Sequence, residues 1–154
     1  MMKKLVMGAD HAGYALKDKI KAVLIERGYE ITDVGTFSSE SCKYPIIAHE
    51  LCKNIQDGKS EMGILICGTG VGMSLCANKH KGIRAACVSD TFSARLTRMH
   101  NDSNVLCFGE RVVGYGLAME LVDAFIETEF EGGRHAERVA LINAIENEDF
   151  ELLK

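Results

Sequence analysis

Apolar positions in this chain fall into two alternating kinds of run, and that alternation predicts an α/β fold. Five short, nearly continuous runs read as strands: KLVMGAD (4–10), EITDVG (30–35), MGILIC (62–67), IRAACV (83–88) and NVLCFG (104–109). Runs of this length suit parallel strands buried on both faces. Between them apolar residues recur at helical spacing. We expect a helix over 13–27 stopped by Gly28, and a second entered at Pro45 after Tyr44 and ending at Gly58. A third leads from a glycine loop to about Lys79, a fourth starts near Asp90, and two more cover 114–128 and 135–146. Strands that each lead into a helix predict a three-layer α/β sandwich with a five-stranded parallel sheet and right-handed crossovers.

The most informative stretch is MGILICGTGVGMS (62–74). Cys67 ends a predicted strand, and Gly68, Gly70 and Gly72 let the backbone turn where side chains would clash. In open α/β sheets ligands bind at the carboxyl ends of strands, and a following helix offers free N–H groups. We therefore expect an anion beside a thiol. A dinucleotide fingerprint needs a third glycine three positions after the second, where this chain has Met73; Asp90 falls about where a ribose-binding acid would. A P-loop needs a lysine, and none lies between Lys59 and Lys79. A small cysteine phosphatase needs an arginine six positions after its nucleophile, and that position is also Met73.

Length and composition narrow the picture. The 154 residues make one domain, 1–154, with 47% apolar content, a single proline and no repeat or linker-like tract. The opening MMKKLVMGAD is broken by Asp10, and no 18-residue apolar stretch occurs, so we expect a soluble cytoplasmic protein without membrane contact. A net charge of −4 provides no basic field for nucleic acid. The six cysteines lack C-x-x-C spacing and the five histidines are scattered, so we expect reduced thiols and no metal. Cys87 and Cys107 read as small core residues.

The predicted order places polar clusters at turns: Asp10 and His11 after the first strand, Cys67–Ser74 after the third, His100 and Asn101 before the fifth, and Arg111 after it. In GGRHAER, Arg134 and Arg138 are four apart and share a helix face, giving two guanidinium forks that suit a phosphate or form a solvated face beside Glu131 and Glu137. Singly, each residue has an ordinary structural use. Asp10 makes a turn, His100 caps a helix, and Cys67 fills the core. Together an acid, a histidine, a thiol, backbone donors and paired arginines could face one crevice.

Eight segments resemble the ribose-5-phosphate isomerase B family: DHAG (10–13), YP (44–45), GILICGTGVGMS (63–74), ANK (77–79), GIRA (82–85), HNDSNVL (100–106), FGERVVG (108–114) and EGGRH (131–135). The resemblance spans nearly the whole chain. It implies a Rossmann-like fold and a homodimer or tetramer that interconverts ribose 5-phosphate and ribulose 5-phosphate without cofactor or metal. It further implies that Cys67 is the base, that Gly68, Gly70, Val71 and Gly72 belong to the loop stabilising the enediolate oxygen, and that Thr69 relays protons. His100 would open the furanose ring from the partner subunit. Asp10 and Asn101 would contact sugar hydroxyls, while Tyr44 lines the substrate site and His11, Arg111, Arg134 and Arg138 occupy substrate and phosphate positions. One branch of the family uses a glutamate four positions after the cysteine's place; here that position is Val71. Relatives acting on allose 6-phosphate or galactose 6-phosphate leave a six-carbon substrate open. A non-catalytic sugar-phosphate-binding module is the rival from another class, and it would need neither Cys67 nor His100.

Overall fold

The computed structural model describes residues 3–153, and its elements follow the predicted alternation. Strands β1 (Lys4–Ala9), β2 (Glu30–Asp33), β3 (Met62–Cys67), β4 (Ala85–Cys87) and β5 (Val105–Gly109) form one sheet in the order β2-β1-β3-β5-β4. All four pairings are parallel. Helices α1 (Tyr14–Glu26), α2 (Tyr44–Gln56), α3 (Val71–Ala77), α4 (Thr91–Asn101), α5 (Tyr115–Ile126) and α6 (Arg134–Glu146) complete the order, followed by a 3-10 turn at Phe150–Leu153.

Alternation along each strand divides the core into two layers. Leu5, Met7, Ile64, Ile66, Leu106 and Phe108 face α1, α4 and α5. Val6, Leu65, Cys67, Val105 and Cys107 face α2 and α3. The three central strands β1, β3 and β5 are covered on both sides, which is why their sequences are nearly all apolar. Helix α6 packs on α4, outside these layers. Among the described residues no helix is long and apolar enough to cross a membrane.

The structure departs from the sequence expectations in three places. Strand β4 has three residues rather than six, because it is an edge strand whose outward groups bond to a side chain: Asn78 donates to the Ala85 carbonyl and accepts from its N–H. Cys87, at the end of that short edge, is exposed and not a core residue. Helix α3 stops at Ala77, two residues short of Lys79.

A fully buried lysine sits beside the carboxyl end of edge strand β2. Lys17 on α1 donates to Asp33 at 2.7 Å and to the Thr36 carbonyl at 2.7 Å, and its ammonium lies 4.9 Å from the Phe37 ring centroid. Burial alone would raise the Asp33 carboxyl, but hydrogen bonds from Lys17, Lys21 and the Gly35 N–H outweigh it and hold the group below the usual carboxylate range. This pair fixes the turn after β2, where the Thr36 N–H donates to the Ala9 carbonyl and the Ala9 N–H to the Gly35 carbonyl at the end of β1.

Candidate active site

The chain crosses from β1 out to β2 and back to β3, so β1 and β3 flank a topological switch point. A crevice opens beyond the carboxyl ends of strands at such a point. Asp10 follows β1 there and Cys67 ends β3. The two strand ends are tied together, since the Asp10 N–H donates to the carbonyl of Ile66, the residue before Cys67, at 3.1 Å.

Cys67 is 6% exposed, and the N–H of Gly70 donates to its sulfur at 3.0 Å. That bond requires a tight reversal. Gly70 has φ 83, and a Cβ there would lie 2.7 Å from the Phe108 Cα. The reversal is packed from behind by Gly109, where a Cβ would lie 2.4 Å from the Thr69 Cα. Backbone bonds tie the two strand ends together: Glu110 donates to the Cys67 carbonyl at 2.9 Å and Arg111 to the Gly68 carbonyl at 3.1 Å. The Cys67 sulfur thus faces a fixed backbone donor at the crevice.

The other thiols lack this arrangement. Burial pushes Cys52 up to about 12, with Cys76 adding to it, and burial likewise raises Cys107, Cys87 and Cys76. Cys87 is nonetheless part of the surroundings of the loop, with its sulfur 3.7 Å from the Thr69 carbonyl.

Around Cys67 the remaining groups of this edge are in place. The Asp10 carboxylate accepts from the N–H groups of Ala12 and Gly13, leaving His11 next to the crevice with its Nδ1 buried and without a hydrogen bond. Thr69 is exposed, and its hydroxyl accepts from the Val71 N–H at 3.3 Å. The Tyr44 ring lies against Gly72, and the Arg111 guanidinium lies beside Gly68.

His100, Asn101, Arg134 and Arg138 are elsewhere. Helix α4 leaves the carboxyl end of β4 and returns to the amino end of β5, and its 11 residues span about 16 Å. His100 and Asn101 occupy its last turn, so they lie at the opposite sheet edge from Cys67. Glu131 donates its N–H to the Met99 carbonyl at 3.0 Å, bringing the start of α6 to the same place. Within one chain, the groups expected to share a crevice therefore form two separate clusters at opposite ends of the sheet. Arg134 and Arg138 are both exposed on α6, as their spacing predicts.

This second cluster contains partners that sequence reasoning missed. The His100 ring stacks on His135 with centroids 4.1 Å apart and planes 5° apart. Glu131 lies 3.7 Å from His100 and 3.6 Å from His135. Burial, then His100, Arg134 and Arg138, push the His135 imidazole below its usual value, against the pull of Glu131. Among the described residues, His100, Glu131 and His135 are the group that could hold a metal, their ligand atoms lying within 4.8 Å of one another. The i, i+4 spacing of Glu131 and His135 was the available signal; the stack with His100 left none.

The family model for Ribose/Galactose Isomerase matches residues 5–142. The chain belongs to the ribose/galactose isomerase family. It is 53% identical over 145 residues to ribose-5-phosphate isomerase B of Escherichia coli (strain K12), covering 94% of this chain and 97% of that one. It is 42% identical over 149 residues to the D-erythrulose-4-phosphate isomerase of Pectobacterium atrosepticum, covering 96% and 98%. Among solved structures, ribose-5-phosphate isomerase B of Clostridium thermocellum superposes with a TM-score of 0.93 at 47% identity, over 95% of this chain and 99% of that one. The Rossmann-like sandwich of this family member thus comes with an isomerase lineage.

Proposed function

We propose that the protein interconverts ribose 5-phosphate and ribulose 5-phosphate through a cis-enediolate, with Cys67 as the base. The observation that carries the reading is the Gly70 N–H on the Cys67 sulfur, set at the switch-point crevice beside Asp10. Family membership supports the reaction class.

The reaction moves two protons and no electrons to or from an outside partner. The Cys67 thiolate takes the proton from C2 of the open-chain aldose, and negative charge develops on O1. Backbone N–H groups of the 68–74 loop, fixed before the substrate arrives, stabilise that oxygen. Thr69 passes the hydroxyl proton from O2 to O1, and Cys67 returns its proton to C1, completing the ketose. Asp10 and Asn101 hold sugar hydroxyls. Tyr44 walls the loop at Gly72, and His11, Arg111, Arg134 and Arg138 hold the phosphate end. His100 opens the furanose ring before the enediolate forms.

The opposite placement of the two clusters supports a shared assembly. His100, Asn101, Arg134 and Arg138 of one copy meet Cys67 of another, so the working form is a homodimer or a tetramer. Exposed Val71, Leu75 and Ile46 beside the loop supply apolar surface for such a contact. We place the protein in the cytoplasm with its sugar-phosphate substrate.

A coupled assay with pure protein, ribose 5-phosphate and allose 6-phosphate, without added metal or nucleotide, tests the proposal. Turnover of ribose 5-phosphate is the expected result. Binding of the sugar without turnover would make it a binding module, and preference for allose 6-phosphate would make it a six-carbon isomerase.

A further inference from the structure

The last turn of α4 is tied down by a network of three charged side chains. Asp102, the residue after α4, adopts φ 46 and presents both carboxylate oxygens to arginines. Oδ1 accepts from Arg98 Nη1 at 2.9 Å, and Oδ2 accepts from Arg84 Nη2 at 2.9 Å. The same two guanidiniums grip the backbone. Arg84 Nε donates to the carbonyls of Asn101 at 3.0 Å and Asp102 at 3.1 Å, and its Nη2 donates to the Asp102 carbonyl at 2.8 Å. Arg98 Nη1 donates to the Ser103 carbonyl.

Each arginine is itself anchored in a different part of the fold. Arg98 is 8% exposed, and its guanidinium carbon lies 5.6 Å from the centroid of the Phe125 ring on α5. Arg84 immediately precedes β4, and its N–H donates to the Asn104 side chain at 2.9 Å. A hydroxyl bond between Thr97 and Ser103 at 2.6 Å closes the turn. The segment 101–103 is thus bolted both to the α5 layer and to the sheet.

Such a network is a costly way to end a helix. A glycine cap satisfies the last carbonyls without ordering three charged side chains, and ion pairs on a partly exposed carboxylate such as Asp102 add little net stability. What it supplies is direction. His100 and Asn101, the two residues just before Asp102, are half-exposed and exposed, and beyond the His135 stack and the Glu131 carboxylate at 3.7 Å the direction of the imidazole depends on where this turn is held.

We infer that Arg84, Arg98 and Asp102 are positioning residues that aim His100 for ring opening. The inference rests on the reading that His100 opens the furanose. It predicts selectivity between steps. Ribose 5-phosphate closes a ring through its C4 hydroxyl, whereas ribulose 5-phosphate cannot close a furanose because its C5 oxygen carries the phosphate. Solvent-deuterium exchange at C1 of ribulose 5-phosphate therefore reports the enediolate step alone, and turnover of ribose 5-phosphate reports ring opening as well.

The test uses Asp102→Asn, which keeps a residue tolerant of positive φ while removing the charge, and Arg84→Lys, whose compact ammonium lacks the planar fork by which Nε and Nη2 reach both carbonyls and the carboxylate. Both rates are measured, with His100→Ala as the reference. The expected result is at least about a 10-fold loss of ribose 5-phosphate turnover with deuterium exchange changed less than about 2-fold, in all three variants. If both rates fall together in Asp102→Asn and Arg84→Lys while His100→Ala separates them, the network is merely structural and the inference fails alone. Unchanged turnover in these two variants overturns it equally. If His100→Ala slows both rates alike, the ring-opening role and the inference fall together.

Discussion

The Gly70 amide stands 3.0 Å from the Cys67 sulfur, and no residue but glycine fits where it does so. The left-handed turn at Gly70 directs its N–H back towards β3, and the backbone of Phe108 fills the space a side chain would need. The thiol and its donor are therefore one unit.

Cys67→Ala should lower turnover by about 10²- to 10⁴-fold, the usual contribution of a positioned base, with substrate binding retained. Deuterium exchange at C1 of ribulose 5-phosphate should be lost to the same degree. Near-normal turnover in that variant would remove Cys67 from the mechanism. Alkylation should inactivate the wild type, and bound substrate should protect it.

Gly70→Ala tests the donor. The added methyl meets the Phe108 backbone at 2.7 Å, so the loop must move and the N–H must leave the sulfur. Activity should fall by about 10²- to 10³-fold, comparable to removing one preorganised donor. Full activity would show that the loop tolerates displacement and that the bond is not needed.

Arg134 and Arg138 present two forks on one face of α6. Replacing either with alanine should weaken phosphate-ester binding by about 1.5–3 kcal/mol, read chiefly as a higher KM. Lysine should restore only part of it, because a point charge lacks the fork. Unchanged KM in both alanine variants would leave these arginines as a solvated face.

Two clusters at opposite ends of each chain make complementation a direct measurement. Cys67→Ala and His100→Ala proteins, each impaired in ribose 5-phosphate turnover, should regain that turnover when mixed under subunit exchange. A hybrid dimer carries one whole site and one with both lesions, so random exchange restores about a quarter of wild-type activity. Verified exchange without recovery would mean that each subunit acts alone.

Asp33 and Lys17 set acid stability. Asp33→Asn takes from buried Lys17 its hydrogen-bonded ion partner, leaving only Asp18 at 3.7 Å, and should cost about 3 kcal/mol in denaturant unfolding. The Asp33 carboxyl is depressed in the folded state, so its contribution is present above the unfolded value of about 3.9 and fades as pH falls through the folded one. The wild type should lose stability over that window, and Asp33→Asn should lack that part of the loss. Identical pH profiles would assign the acid sensitivity to other carboxylates.

The sequence by itself determined the alternation of strands and helices, because a strand covered on both faces must be apolar throughout and a helix covered on one side cannot be. It determined the place of Cys67 for a related reason: three glycines after a buried strand leave the backbone few courses except a tight reversal. The Arg134–Arg138 face followed from helical period alone. Tertiary structure decided the strand order, and with it the meeting of Asp10 and Cys67 at one switch point and the removal of His100 and Asn101 to the far edge. Nothing in residues 83–88 marks β4 as an edge, so the exposure of Cys87 depended on which neighbour β4 lacked. Lys17 occupies an apolar position of α1 and reads as a surface residue until Asp33, 16 positions away, closes over it. Arg98 and Asp102 share helical spacing, but Arg84 reaches them only because β4 and β5 lie side by side. Local pattern governs what each segment becomes, and pairing between distant segments governs which groups meet, since it is settled by the burial of whole faces at once.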